Sequence, residues 1–131
     1  MKRVVTGRLK EFDVSLENRP GSLADLCDMM AQAAVNIKAI ATNGGHSARL
    51  VTSDETTTRE VLTKARLPWS EADVLQIRLT DRPGELAKIS RMLAKERVNI
   101  DSVYLLGATG EWTDLVLKVN DTAGALKVLS R

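Results

Sequence analysis

The residues best suited to chemistry stand in two loops of nearly the same sequence. Asn18-Arg-Pro-Gly opens one loop and Asp81-Arg-Pro-Gly opens the other, and Asn36 and Asn99 follow them at the same spacing. An amide both donates and accepts hydrogen bonds, so a pair of asparagines suits a zwitterionic α-amino acid. An ionised Asp81 only accepts, which suits an ammonium group and repels a carboxylate. These residue types therefore predict the binding of a small polar molecule.

The sequence shows no recognisable set of catalytic residues. The sequence has one cysteine, Cys27, and one histidine, His46, so neither an internal disulfide nor a dedicated zinc site is expected. No nucleophile–base pair, paired carboxylates or phosphate-cradling glycine loop is recognisable. We therefore predict a protein that is not an enzyme, with no catalytic residues, no metal and no cofactor.

Charge and hydropathy exclude two further classes of partner. The 19 basic and 17 acidic residues leave a formal net charge of +2, and aromatic residues make up 3% of the chain. A nucleic-acid binder needs a basic surface or stacking aromatics, so no nucleic-acid partner is expected. No apolar run approaches the roughly 18 residues of a membrane span, and the first residues carry no apolar leader. The expectation is a cytoplasmic protein with no membrane partner.

An internal repeat organises the chain. The segments 18–37 and 81–100 align without gaps at an offset of 63, and ten of the 20 aligned positions are identical. Chance does not explain so long a match, so the chain is predicted to contain two copies of one unit of about 60 residues.

Each copy must place its loop between a strand and a helix. Residues 11–17 and 74–80 alternate apolar and polar side chains, which predicts half-buried strands. Apolar residues at three-four spacing follow in both copies and predict an amphipathic helix. Pro20 is predicted at the first helical position, and Ser22 with Asp25 resembles a capping box.

The rest of each copy predicts a hairpin and a second helix. Asn43-Gly-Gly predicts a tight turn before a third strand at 47–53, and its counterpart in the second copy is 112–119. Second helices are predicted at 55–65 and 122–130.

This element order predicts an α+β fold of two ferredoxin-like βαββαβ units, with antiparallel sheets and helices on one face. The expected domains are 1–72, with an N-terminal extension over 1–9, and 73–131. The first copy closes with a short fourth strand after residue 67, whereas the second lacks a last strand. Arg3–Thr6, or a strand of another subunit, is expected to fill the open position.

Both copies resemble ACT domains over about 10–131. The resemblance rests on the Asn18 and Asp81 loops, each followed by Val-Asn-Ile, at 35–37 and 98–100. In ACT domains such as that of phosphoglycerate dehydrogenase, an asparagine of the loop and one that opens the second strand contact the effector. The resemblance implies ligand-binding residues in both copies, at Asn18, Arg19, Pro20, Gly21, Ser22, Leu23, Asn36, Ile37, Asp81, Gly84, Glu85, Leu86, Asn99 and Ile100.

The same resemblance implies a regulatory or sensor function. ACT domains bind amino acids or similar small effectors where two domains pair, so the expected partners are an amino-acid effector, a second copy in a homodimer and a regulated enzyme. The alternative is the regulatory small subunit of an amino-acid biosynthetic enzyme such as acetolactate synthase. A plainer interpretation of the loops also stays open, in which asparagine, proline and glycine serve only as turn and cap residues.

Overall fold

A computed structural model describes residues 4–131 of the chain. Six strands and four helices alternate along it, and within these residues no helix is both long and apolar enough to cross a membrane. The elements are β1 (Val5–Ser15), α1 (Ser22–Gln32), β2 (Ile37–Asn43), β3 (Ser47–Thr52), α2 (Glu55–Lys64), β4 (Trp69–Thr80), α3 (Glu85–Lys95), β5 (Ile100–Thr109), β6 (Trp112–Val119) and α4 (Thr122–Leu129).

The strands form one sheet in the order β2-β3-β1-β4-β6-β5, which corrects the prediction of two separate sheets. The pairs β1–β3, β2–β3, β4–β6 and β5–β6 are antiparallel. The expected last strand of the first copy and the expected first strand of the second copy are one continuous strand, β4, of 12 residues. The local alternation of apolar and polar residues could identify both halves of β4. It could not show that the two halves are continuous, without a turn between them.

The chain divides into two compact units, and Lys10–Ala72 is the first along the sequence. It contains the second half of β1, then α1, β2, β3, α2 and the start of β4. Side chains of β1 and β3 share one core with those of both helices, so α1 and α2 pack on the same face of the strands. The fully buried members of this core are Phe12, Val14, Leu26, Met30, Ala48, Leu50 and Leu62.

The second unit consists of Met1–Leu9 and Asp73–Arg131. Its core joins β4 and β6 to α3 and α4, and the partly buried Val4 and Val5 pack against it. The Arg78 N–H donates to the Val4 carbonyl at 2.8 Å, and the Thr6 hydroxyl donates to the Gln76 carbonyl at 3.4 Å. The first half of β1 therefore occupies the place of the missing last strand.

This arrangement bears on the expected N-terminal segment. Within Arg3–Thr6, residues 4–6 lie beside β4, and Arg3 lies outside the described residues. Residues 4–9 belong to the same compact unit as Asp73–Arg131. The physical reason is that β4 would otherwise leave an unpaired edge over an apolar core.

The first helix of each unit begins later than predicted. Gly21 and Gly84 are the N-cap residues, with φ of 93° and 89°. Neither helix start is capped by a side-chain hydrogen bond. A glycine takes this left-handed conformation without strain, so the chain turns there and the helix starts at Ser22. Pro20 is therefore not the first helical residue, and the predicted capping box of Ser22 and Asp25 is wrong.

An ion pair links β4 to β6 in the second unit and gives a pH-dependent prediction. The Arg78 guanidinium donates two hydrogen bonds to the Asp114 carboxylate, at 2.8 and 2.9 Å. These bonds lower the pKa of Asp114, against a smaller opposing effect of burial. Since the folded pKa lies below the unfolded value of about 3.9, the pair stabilises the fold above that pH and is lost as pH falls through the folded pKa.

Asp114→Asn is therefore expected to lower the free energy of unfolding by about 1 kcal/mol at neutral pH. The difference from the unmodified chain should shrink below about pH 4, where protonation removes the same charge. Urea unfolding across pH measures it, with Glu111→Gln as an exposed control in the same unit. A difference that does not change with pH would contradict the assignment to the Asp114 charge.

Candidate functional site

The first loop is held by its arginine. Arg19 donates to Glu17 at 3.0 Å, to the Pro20 carbonyl at 3.2 Å and to Asp25 of α1 at 3.3 Å. The hydrogen bond to Glu17, followed by that to Asp25, raises the pKa of Arg19. Arg19 was predicted as a ligand contact, and the structure shows that most of its donors already bind the loop and the start of the helix.

Asn18 lies against the hairpin that joins β2 to β3. The loop contacts this hairpin through a hydrogen bond from the Leu16 N–H to the His46 carbonyl at 2.8 Å. A side chain at Gly45 would collide with the Asn18 amide group, so glycine at this position makes room for Asn18. Asn18 is exposed and stands at the end of the sheet where β1 finishes.

Asn36 lies at the other end of the same sheet. Ser15, at the end of β1, is paired with Ser47, and Ser47 is paired with Asn43 at the end of β2. Asn36 directly precedes Ile37, which opens β2 six residues before Asn43 and is paired with Thr52. Six residues of strand span roughly 20 Å. The first unit therefore does not bring Asn18 and Asn36 to one ligand.

Asn36 and Asn99, which precede β2 and β5, differ in their hydrogen-bond partners. The Asn36 N–H donates to the Ser53 hydroxyl at 2.9 Å, and within residues 4–131 the exposed Asn36 amide group has no hydrogen-bond partner. The Asn99 amide donates to Asp101 at 2.8 Å, and its N–H donates to the Asn120 side chain. Asn36 is thus free to contact a ligand, whereas Asn99 stabilises the start of its own strand.

The second loop is also occupied by its own residues. Glu85, with 15% of its side chain exposed, pairs with Arg82 at 3.1 Å and with Lys88 at 3.4 Å. Burial alone would raise the pKa of Glu85, but the charges of Arg82 and Lys88 together outweigh it and the pKa is lowered. The Asp81 N–H donates to the Glu111 carbonyl at 2.7 Å, and the Asp81 side chain is exposed.

The remaining predicted residues serve either the core or the surface. Ile37 and Ile100 are half-buried and pack against the cores of the first and second unit, respectively. Leu23 and Leu86 occupy matched positions in α1 and α3 and are 39% and 40% exposed. Each leucine thus leaves a partly exposed apolar side chain in the first turn of its helix, beside the loop.

Comparison with known proteins decides the family. A model of the ACT domain pair matches residues 7–130. The chain belongs to the ACT domain pair family. No curated protein sequence matches it.

Solved structures similar to this ACT pair agree with that assignment. Protein BT0572 from Bacteroides thetaiotaomicron is 25% identical, with a TM-score of 0.84 over 94% of this chain and 87% of that one. Aspartokinase α and β subunits show 21% identity and a TM-score of 0.64, with 95% of each chain covered. The regulatory subunit of aspartate kinase from Thermus flavus shows 16% identity and a TM-score of 0.61, with 97% of each chain covered.

A cleft that the sequence did not reveal lies beside the first loop of this ACT pair. It has a volume of about 280 Å³ and lies between the start of α1 and the segment that follows α2. Ser22 lines it, is 8% exposed, and its hydroxyl has no hydrogen-bond partner within residues 4–131. An unpaired buried hydroxyl costs about 1–3 kcal/mol. The residues that line this α1–α2 cleft are Leu16, Glu17, Arg19, Ser22, Asp25, Met29, Ala65 and Leu67.

The second ACT unit has a smaller cleft at matched positions. Its volume is about 130 Å³, and Glu85 and Lys88 stand where the first unit has Ser22 and Asp25. The signals in the sequence for this difference were the exchanges of Glu17, Ser22 and Asp25 for Thr80, Glu85 and Lys88. The first unit therefore has the roomier cleft beside its loop.

Proposed function

We propose that this ACT pair is a non-enzymatic regulatory protein that binds a free amino acid between two copies of the chain. The observation that carries the proposal is the exposed amide group of Asn36, which has no hydrogen-bond partner among residues 4–131. Asn18 and Asn36 stand at opposite ends of one sheet, so a single ligand that contacts both needs the loop of one copy and Asn36 of a second copy. The two amides would then bind the carboxylate and the ammonium group.

Ligand binding at such an interface provides a means of regulation. A ligand that bridges two copies binds the paired arrangement and not the separated one, so it shifts the population toward the pair. A partner that recognises one arrangement then responds to the concentration of the amino acid. The fold supports this role, because it is shared with regulatory subunits of aspartate kinase.

The function is tested by a thermal-shift screen of all proteinogenic amino acids at millimolar concentration. A ligand at about 100 times its dissociation constant adds roughly 2.7 kcal/mol to stability, which is a shift of several degrees for a chain of this size. We expect one or two amino acids to raise the midpoint, and light scattering to show a dimer. A flat screen together with a monomer would overturn the proposal.

Asn36→Ala is the matching variant, and Asn99→Ala is its control in the other unit. Asn36→Ala is expected to weaken amino-acid binding about tenfold, because it removes hydrogen bonds to a charged ligand group. Asn99→Ala should leave the affinity unchanged, since the Asn99 amide binds Asp101. Titration calorimetry of both variants decides between the two units, and equal losses would contradict the assignment to the first.

A regulatory subunit of a separate biosynthetic enzyme is the second candidate. The fold shared with the regulatory subunit of aspartate kinase from Thermus flavus favours it. We propose in this case a partner enzyme of amino-acid metabolism, an aspartate kinase ahead of an acetolactate synthase. Co-purification of the tagged chain with such an enzyme is the expected result.

A further inference from the structure

The α1–α2 cleft of the first unit has an apolar lining below a charged rim. Leu16, Met29 and Leu67 line it, and Met29 and Ala65 also belong to a neighbouring cleft of about 350 Å³ between α1 and α2. The volume of the α1–α2 cleft, about 280 Å³, lies just below the roughly 300–1,000 Å³ typical of sites for drug-sized molecules. The space therefore suits a ligand of the size of one aliphatic side chain with a polar head.

The rim carries more negative than positive charge. Glu17 and Asp25 each accept a hydrogen bond from Arg19 through one carboxylate oxygen. The second oxygen of each carboxylate has no partner within residues 4–131. Two carboxylates and one guanidinium leave a net charge of −1 at the entrance. Such a rim attracts a cation and repels an anion.

Ser22 supplies a second, independent observation that points to a ligand. It is more than nine-tenths buried, it lines the cleft, and its hydroxyl lacks a partner within the described part of the chain. Buried hydroxyls are normally paired, and a polar ligand group inside the cleft would satisfy this one.

The second unit shows what closes the same space. Glu85 replaces Ser22 and its carboxylate is neutralised by Arg82 and Lys88, and the cleft falls to about 130 Å³. The first unit keeps the arginine but replaces the lysine by Asp25 and the glutamate by a small side chain. The exchange of Glu85 for Ser22 removes a large side chain, and the rim charge is reversed because Asp25 replaces Lys88 and Glu17 stands where the second unit has Thr80.

We propose that the α1–α2 cleft of the first unit binds a small aliphatic primary ammonium ion. The ammonium group lies at the rim with Glu17 and Asp25, Ser22 pairs with a polar atom of the ligand, and the aliphatic body contacts Leu16, Met29 and Leu67. The site contains neither Asn18 nor Asn36, so it stands whether or not the proposed amino-acid site exists.

The test is titration calorimetry with three probes that share one carbon skeleton. 3-Methylbutylamine carries only the ammonium group, leucine carries both charged groups, and 4-methylpentanoate carries only the carboxylate. We expect saturable binding of the amine with a dissociation constant of about 1 mM or lower, and none of the carboxylate. If leucine binds and 3-methylbutylamine does not, the ligand is an amino acid, and the proposal of a simple amine is wrong. No binding of either ammonium compound, or equal binding of the carboxylate, would overturn the site.

Two variants locate the binding. Glu17→Thr, Ser22→Glu and Asp25→Lys together give the first cleft the matching side chains of the second unit and should abolish amine binding, with a thermal midpoint that shows the fold is intact. Asp25→Asn, at an exposed position, should weaken it about tenfold by removing one rim charge. Retained affinity in both variants would refute the assignment to this cleft. Asn36→Ala should leave amine binding unchanged, so loss of the amino-acid site and loss of this site are distinguishable.

Discussion

Deletion of residues 1–9 is expected to unfold the second unit while the first unit keeps its structure. The deletion removes the half-strand that pairs with β4 and the valines Val4 and Val5 that pack against the second core. Full burial of a valine contributes about 1.5–3 kcal/mol, so these two partly buried valines contribute about 1–3 kcal/mol, and the lost pairing with β4 adds to it. A unit of about 60 residues has little stability to spare.

The two tryptophans make this prediction measurable unit by unit. Trp69 belongs to Lys10–Ala72 and Trp112 to the second unit. Trp69→Phe leaves Trp112 as the one tryptophan of the sequence, and Trp112→Phe leaves Trp69, so excitation at a wavelength absorbed by tryptophan alone follows one unit at a time. In urea, the Trp112 transition of the truncated chain should move to much lower denaturant than the Trp69 transition, which is the internal control. Equal shifts of both would show that the half-strand does not serve the second unit alone.

Phe12→Ala is expected to destabilise the first unit and not the second. Phe12 is fully buried in the first core, its ring centroid lies 5.9 Å from that of Trp69, and the Arg59 guanidinium lies 5.7 Å from the ring centroid. Truncation of a buried phenylalanine to alanine costs about 3–5 kcal/mol, because it removes apolar burial and leaves a cavity. The first unit should therefore lose most of its stability.

The measurement is urea unfolding followed by Trp69 fluorescence in the Trp112→Phe background. Phe12→Leu is the control, since it keeps the apolar character and most of the volume and should cost clearly less. A loss below about 1.5 kcal/mol for Phe12→Ala would mean that the core collapses around the missing ring, contrary to the prediction.

The repeat made most of the elements predictable. Alternation and three-four spacing are local properties of the chain, and the helices and strands that they indicate are present in both units. The helix starts were misplaced because Pro20 and Gly21 are both compatible with a helix start, and the left-handed φ of Gly21 decides between them. The continuity of β4 could not be predicted, because it depends on the pairing of β4 with strands distant in sequence.

The site was predictable only as a set of residue types. The doubled loops and the two asparagines were visible from their spacing, but the distance between Asn18 and Asn36 follows from the register of β2 on β3, which is a tertiary property. The difference between Asn36 and Asn99 depends on whether an acceptor stands within reach, as Asp101 does for Asn99. The α1–α2 cleft depends on packing between two helices, which the sequence indicated only through a few residues exchanged between the two copies around the start of α1.

The shared use of β1 has a consequence for biosynthesis. Thr6 and Gln76 are 70 residues apart, so at about 5–20 residues per second the ribosome needs several seconds to make the partner of a segment that has already emerged. The first unit has all its strands by residue 72, whereas the second needs both the start and the end of the chain. Residues 4–9 are thus a nascent strand whose edge stays unpaired until β4 has been synthesised.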